Sequence, residues 1–239
     1  MKFALIGCGR IAASHLKAAL ENHLEIAALC DLDPQAIRAL RREFGLEGEQ
    51  GIREYADYRQ MLRELPDLDL AAVTTASGLH ARMTLDCIDA GVHVIVEKPM
   101  TLDLAQADEI IRRSEAAGVW VCACHQNRFN LAVQKMRAAL EEGRFGKLSH
   151  GSVQVLWHRS QEYYRQADWR GSWAKDGGCL MNQCLHGIDL LLRMMGGRAV
   201  EVCGMLANRF HPEIEAEDLG MALVRFAGGE TALIEGTTN

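Results

Sequence analysis

The chain is poor in aromatic residues (6%), in proline (4 residues) and in basic charge, with 26 Lys and Arg against 32 Asp and Glu. A net charge of −6 without any basic run argues against a nucleic-acid footprint. No stretch reaches the roughly 18–20 uninterrupted apolar residues of a membrane-spanning helix. The opening MKFALIGCGR meets two glycines and an arginine before a signal-peptide core could form, so it reads as a first β-strand. The eight cysteines are scattered, and the one close pair, Cys122-x-Cys124, has neither zinc spacing nor a second pair. A disulfide framework is therefore not expected, and a reduced cytoplasmic protein is. His80, His125, His150, His158 and His186 share no close ligand spacing, so no metal site is expected.

What remains is an ordinary soluble composition, 49% hydrophobic and 24% charged over 239 residues, with room for two modest domains. Residues 1–125 alternate short apolar runs with helical spacing. The runs FALIG (3–7), EIAALCD (25–31), LDLAAVTTA (68–76), VHVIVEKP (92–99) and VWVCACH (119–125) predict five strands. Helices are predicted between them, one opening at Pro34, where a missing N–H costs nothing. GLEGEQGIREY reads as a connector. Near-continuous Val, Ile, Leu and Ala strands separated by amphipathic helices predict a parallel sheet covered on both faces.

Residues 126–239 follow a different grammar, with the boundary at 124–130. A helix (131–146) and a strand (147–160) precede GGCLMNQCLHGIDLLLRMMGG (177–197), whose apolar spacing predicts one helix. Three strands follow at 199–210, 218–228 and 230–238, the last two joined by a hairpin turn at Ala227-Gly228-Gly229-Glu230. The fold class is α/β: a doubly wound dinucleotide-binding domain, then an α+β domain with a mainly antiparallel open sheet.

Gly7-Cys8-Gly9-Arg10-Ile11-Ala12 is G-x-G-x-x-A between a strand and a helix. The first glycine permits a tight turn, the second lets backbone approach a pyrophosphate, and the small third residue allows close helix–strand packing. The helix N-terminus adds free N–H groups for phosphates. Asp31 closes the second strand, where an acid accepts hydrogen bonds from ribose hydroxyls. It would repel a 2′-phosphate, so NAD is expected over NADP. Its competing role is helix capping, which Asp33 before Pro34 fills better.

Glu97-Lys98-Pro99 ends a strand at the sheet edge where α/β folds place ligands. A partly desolvated lysine there can handle a proton near neutrality; the alternative is a surface lysine. In the second half Asn182, His186 and Asp189 fall at i, i+4 and i+7, one face of the predicted helix. That stripe suits a pocket wall, or His186 is a core histidine satisfied by a carbonyl.

Together with Asn127-Arg128-Phe129, Trp169-Arg170-Gly171 and Gly177-Gly178, these motifs occur in the order found in the Gfo/Idh/MocA family, which the chain resembles along its whole length. The resemblance implies an N-terminal Rossmann domain and a C-terminal domain whose sheet mediates homo-oligomerisation. It implies a nicotinamide cofactor near Gly7, Cys8, Gly9, Arg10, Ile11, Asp31, Thr75, Ser77, His80, Glu97, Lys98, Asn127, Trp169 and Arg170. Lys98 and His186 become the catalytic pair, and Lys98, Tyr164, Arg170, Asn182, Gln183 and His186 the substrate contacts.

Many family members carry aspartate where this chain has Asn182. With Tyr163-Tyr164 and Ile214-Glu215-Ala216-Glu217-Asp218, this is similar to the branch that oxidises UDP-N-acetylglucosaminuronate at C3 for bacterial surface polysaccharides. Asn182 holds no charge, so an Asp–His relay through this position is excluded, though its amide can bond a sugar hydroxyl. A uronate would need a cationic partner, for which Arg159, Arg165 and Arg170 are unranked candidates. A cyclitol or free-sugar dehydrogenase and a non-catalytic NAD sensor are the competing readings. Family chains are longer, so a chain stopping at Gly236-Thr237-Thr238-Asn239 is either a natural short form or, as expected here, a fragment with an unfinished second sheet.

Overall fold

Two units, Met1–Cys124 and His125–Asn239, make up the computed structural model, which describes residues 1–239. The first contains strands β1 (Lys2–Ile6), β2 (Glu25–Cys30), β3 (Arg53–Tyr55), β4 (Leu70–Val73), β5 (His93–Val96) and β6 (Val121–Ala123). They form one sheet in the order β3-β2-β1-β4-β5-β6, and every pairing is parallel. Helices α1 (Ala12–Glu21), α2 (Pro34–Glu43), α3 (Tyr58–Glu64), α4 (His80–Asp89) and α5 (Leu104–Ala117) cover both faces.

Alternate strand residues supply the two cores. Phe3, Leu5, Ile26 and Leu29 pack on Leu16 of α1 and Ile37 and Leu40 of α2. Ala4, Ile6, Cys30, Val73, Val94 and Val96 pack on Met61 and Leu62 of α3 and Cys87 of α4. Each large buried aliphatic side chain contributes roughly 1.5–3 kcal/mol. Asp33, Asp57 and Asp103 cap α2, α3 and α5 by accepting backbone N–H bonds from Gln35, Arg59 and Ala105. The chain order reverses between β1 and β4, which opens the crevice at the carboxyl ends of these strands.

The sheet has six strands where the apolar runs predict five. The extra one, β3, lies at the edge inside the expected connector, and of its three residues only Tyr55 is buried. An edge strand that buries one side chain leaves no apolar run to read.

In the second unit, α6 (Leu131–Glu141) precedes β7 (His150–Leu156), followed by α7 (Gln161–Arg165), α8 (Gly178–Asn182) and α9 (Leu185–Met195). Strands β8 (Ala199–Ala207), β9 (Leu219–Phe226) and β10 (Thr231–Thr237) complete a sheet ordered β7-β10-β9-β8. β10 runs parallel to β7 and antiparallel to β9, which is antiparallel to β8. The expected hairpin turn is present, with Gly229 N–H donating to the Phe226 carbonyl at 3.0 Å. Leu191 of α9 packs on Val224, Phe226, Ala232 and Ile234. β8 is exposed at nearly every residue.

The single helix expected over 177–197 is two helices. Cys184 N–H donates to the Cys179 carbonyl five residues back, at 2.9 Å, and the widened turn ends α8 before α9 begins. Asn182 and His186 therefore sit on different helices, and the single-face spacing does not describe them. Apolar spacing continues through the break, so it gives no warning of it.

Candidate active site

Gly7 follows β1 with φ +99°, a conformation that L side chains rarely adopt. Its ideal Cβ would lie 2.9 Å from the Thr74 backbone. Thr74 fixes the turn, its hydroxyl donating to the Gly7 carbonyl at 2.6 Å. At Gly9 the corresponding space is open, with no atom within 4 Å. Ile11 precedes α1 and makes no side-chain cap, and Arg10 and Ile11 are exposed. A loop that is tight at its first glycine and open at its second is the form a pyrophosphate requires.

Asp31 stands at the end of β2 and holds this loop. Its Oδ2 accepts from the Cys8 N–H at 2.7 Å and its Oδ1 from the Asp33 N–H at 2.8 Å. Each carboxylate oxygen keeps a second lone pair, so the group can also receive ribose hydroxyls. Beside it a cavity of about 420 Å³ is lined by Gly7, Asp31, Leu32, Thr75, Leu79 and Arg82. Open backbone, carboxylate and cavity together fit the adenosine half of a dinucleotide. Arg82, a cation in the same cavity, is a residue the sequence reading passed over because it arrives from α4.

Ser77 and His80 turn inward. His80 is 1% exposed, with Nδ1 2.7 Å from the Pro99 carbonyl and Nε2 3.0 Å from the Thr75 carbonyl. It braces the turn after β4 against the turn that follows Lys98. Glu97 is also buried: Oε1 lies 2.8 Å from His15 Nε2, and Oε2 accepts the Lys98 N–H at 3.1 Å. Burial pushes the Glu97 carboxyl up, but the His15 bond and charge, with the Lys98 N–H and the Cys124 thiol, hold it below its ordinary value. The Cys124 thiol is pushed up to about 12 by burial and by the Glu97 charge. His15, Glu97 and Cys124 bring potential ligand atoms within 4.8 Å of one another. They come from α1 and from the ends of β5 and β6, a grouping no sequence spacing announces. Lys98 is thus aimed by a strand end pinned through its neighbour, and the Lys98–Pro99 peptide is cis.

In the second unit His186 occupies the first turn of α9. Its Nε2 lies 3.4 Å from Gln126 Nε2, and its ring meets His125 edge-on with centroids 6.2 Å apart. Asp189, one turn on, receives two hydrogen bonds from Arg128, and the His125 Nδ1 is 3.6 Å away. Burial raises the Asp189 carboxyl, but Arg128 and the two histidines hold it below its ordinary range. Asn127 belongs to the 3₁₀ turn Gln126–Phe129 that supplies Gln126 and Arg128. The histidine expected from the sequence therefore sits in a cluster with His125, Gln126 and Arg128, which the reading of α9 alone missed.

The Asn182 amide donates to Oδ1 of Asp176, which is 1% exposed and whose Oδ2 accepts the Gly171 N–H at 2.6 Å. A carboxylate thus stands beside position 182, contributed from six residues upstream. Tyr164 is buried, with its hydroxyl 2.9 Å from Thr238 Oγ1, and burial pushes it up to about 12. Its neighbour Tyr163 is the tyrosine stacked with Arg170, whose guanidinium also lies over Trp169. Gln183 is buried, with Nε2 3.5 Å from the Tyr163 hydroxyl.

The phosphate loop, its acidic partner and the parallel sheet define a dinucleotide-binding protein of the Rossmann type. The chain belongs to the Gfo/Idh/MocA family: residues 1–125 match the oxidoreductase family with the NAD-binding Rossmann fold, and residues 133–239 match the family's C-terminal domain. It is similar to the WlbA dehydrogenase of Chromobacterium violaceum, solved with NADH and UDP-GlcNAcA. Identity is 36% and TM-score 0.91, over 100% of this chain and 67% of that one. The WlbA dehydrogenase of Bordetella pertussis, solved with the same two ligands, gives 35% and 0.91, over 100% of this chain and 72% of that one. Myo-inositol 2-dehydrogenase of Thermotoga maritima is 26% identical over 98% of this chain and 68% of that enzyme. The chain thus spans about two thirds of the length of these relatives.

Proposed function

We propose that the chain oxidises a secondary hydroxyl of an acidic nucleotide sugar, a UDP-N-acetyl-hexuronate at C3, as a step in polysaccharide biosynthesis. The observation that carries this reading is 36% and 35% identity, along the whole chain, to two dehydrogenases whose structures hold NADH and UDP-GlcNAcA. NAD, when bound, supplies the hydride acceptor, and Asp31 supports NAD over NADP by receiving ribose hydroxyls where a 2′-phosphate would be repelled. Gly7 and Gly9 give the pyrophosphate its backbone contacts. Lys98 and His186 carry the proton chemistry: one takes the hydroxyl proton and the other hydrogen-bonds the same oxygen as charge develops. Asn182 and Gln183 orient the sugar.

Two further features support the setting. All eight cysteines are free thiols, which fits a reducing cytoplasm. On the outer face of the second sheet Leu223 (60% exposed) is registered with Leu233, and Met205 (78% exposed) with Met221. A contiguous apolar face on a central strand supports a homo-oligomer formed through this sheet.

A second reading, a cyclitol dehydrogenase, is favoured by the likeness to myo-inositol 2-dehydrogenase. NADH formation from UDP-N-acetylglucosaminuronate, myo-inositol and free sugars, with NADP as control, decides between them. Lys98→Met and His186→Ala should each slow hydride transfer by at least ~10²-fold with NAD binding retained. Turnover of myo-inositol alone transfers the conclusion to the cyclitol reading. NAD binding without reduction by any sugar returns it to a sensor.

A further inference from the structure

Three arginines in the second unit carry positive charge near the Tyr163-Tyr164 pair, and the structure separates them. Arg165 is spent: its guanidinium makes two hydrogen bonds to Glu213, and Glu162 lies 3.8 Å away. Arg159 and Arg170 meet no carboxylate. Both stack on the Tyr163 ring, at 5.2 and 4.3 Å from its centroid, and each also lies over a tryptophan, Trp157 at 5.0 Å and Trp169 at 4.5 Å. Stacking fixes the planes of the guanidinium groups without neutralising them. The Nε atoms of both arginines are buried and have no hydrogen-bond acceptor. Arg159 Nη1 donates to the His158 carbonyl at 3.0 Å and Arg170 Nη1 to the Tyr163 hydroxyl, so Nη2 is the donor each guanidinium still offers a ligand.

Tyr163 adds a donor to the same place. Its hydroxyl accepts from Arg170 Nη1 at 2.6 Å, with Gln183 Nε2 3.5 Å away, so its own proton is directed elsewhere. Two uncompensated guanidiniums and a phenol proton, held by aromatic faces, form an all-donor cluster. An oxyanion is the ligand that satisfies it, and planar bidentate recognition is what arginine does best.

We propose that Arg159, Tyr163 and Arg170 form the subsite for an oxyanion of the substrate and so select an acidic sugar over a neutral cyclitol. This rests on the dehydrogenase reading above and names the group that the substrate must carry. A carboxylate and a phosphate share the chemistry, and the test separates them.

The test is calorimetric titration of the full chain with D-glucuronate (carboxylate without phosphate), UDP-N-acetylglucosamine (phosphate without carboxylate) and UDP-N-acetylglucosaminuronate. Arg159→Met and Arg170→Met remove one charge each, and Tyr163→Phe keeps the ring while removing the donor, so a misfolded variant does not end the test. Each variant should lose at least tenfold in affinity for the bound anionic probe, while NADH affinity, read by fluorescence, stays within twofold in Arg159→Met and Tyr163→Phe. A loss confined to glucuronate and the uronate nucleotide assigns the carboxylate, and a loss with UDP-N-acetylglucosamine assigns the phosphate. Unchanged affinities, no binding of any anionic probe to the wild type, or a loss of NADH affinity alone overturns the subsite. If the wild type oxidises only a different acidic sugar, the UDP-hexuronate reading fails while the subsite stands.

Discussion

The two glycines of the phosphate loop offer a paired perturbation whose outcomes the structure separates. At Gly7 an alanine must adopt φ +99° with its Cβ 2.9 Å from the Thr74 carbonyl carbon and oxygen. The left-handed conformation costs about 1–2 kcal/mol. Backbone cannot retreat as a flexible side chain can, so the Thr74 hydroxyl bond to the Gly7 carbonyl is strained as well, a loss of about 1 kcal/mol. A total of about 2–3 kcal/mol lowers the melting temperature by roughly 5–10 °C for a chain of this size. At Gly9 the same methyl meets no protein atom within 4 Å and the backbone is not left-handed. Gly9→Ala should leave stability within about 1 kcal/mol and, by stiffening the unfolded chain, can raise it. The methyl does occupy the face where a pyrophosphate meets backbone N–H groups. Losing one charge-assisted hydrogen bond costs about 1.5–3 kcal/mol, or roughly 10–100-fold in NADH affinity. Thermal unfolding and NADH fluorescence titration of both variants are the assays. Gly7→Ala should fail in both, Gly9→Ala only in binding. An unchanged NADH affinity in a folded Gly9→Ala protein refutes the assignment of this loop to a dinucleotide.

Three other outcomes follow from the same geometry. Asp31→Ser removes the carboxylate while Arg82 remains in the cavity, so the ratio of NADP to NAD affinity should rise at least tenfold in fluorescence titrations, and a fixed ratio would count against Asp31 as the discriminator. His15→Ala leaves Oε1 of the buried Glu97 without its histidine donor and should cost about 1–3 kcal/mol in urea unfolding; combined with Glu97→Gln the loss should be less than additive, whereas additivity would deny the coupling. Glu217 is 4% exposed, and burial together with the Asp176 and Asp218 charges raises its carboxyl above the ordinary 4.5, against the pull of the Leu180 N–H. The folded state then binds the proton more tightly than the unfolded one, so this residue's contribution to stability falls as pH rises through the window above 4.5. Glu217→Gln should remove that slope, its melting temperature gaining on the wild type between pH 5 and 7.5; a constant or shrinking difference contradicts the shift.

Legibility followed sequence distance. The tight glycine turn after β1 and the Asp33 cap are made by residues a few positions apart, and the structure reproduces them. Asp31 is legible for another reason: strand length in a βαβ unit fixes where the acid falls. The break at Gln183–Cys184 was hidden because α8 and α9 both carry apolar residues at helical spacing, and a single five-residue hydrogen bond separates them. His80 shows the opposite limit. At the first residue of α4 it stands near the cofactor motif in sequence, yet its ring nitrogens lie against two carbonyls, one of them 19 residues away.

The tyrosine and arginine pairs make the physical point most sharply. Tyr163 and Tyr164 are indistinguishable in sequence, and what divides them is Thr238, 74 positions later, which holds the Tyr164 hydroxyl in the interior. Arg165 and Arg170 differ in the same way, since Glu213, 48 residues on, consumes the charge of the first. Sequence counts charges, but binding depends on charges that have no internal partner, and partners are assigned by the fold. Of three cations near this surface, only the two stacked on aromatic rings are left without a carboxylate partner. An isolated guanidinium on one ring would be an ordinary surface contact; two sharing Tyr163, with no carboxylate between them, are the geometry on which the proposed oxyanion subsite rests.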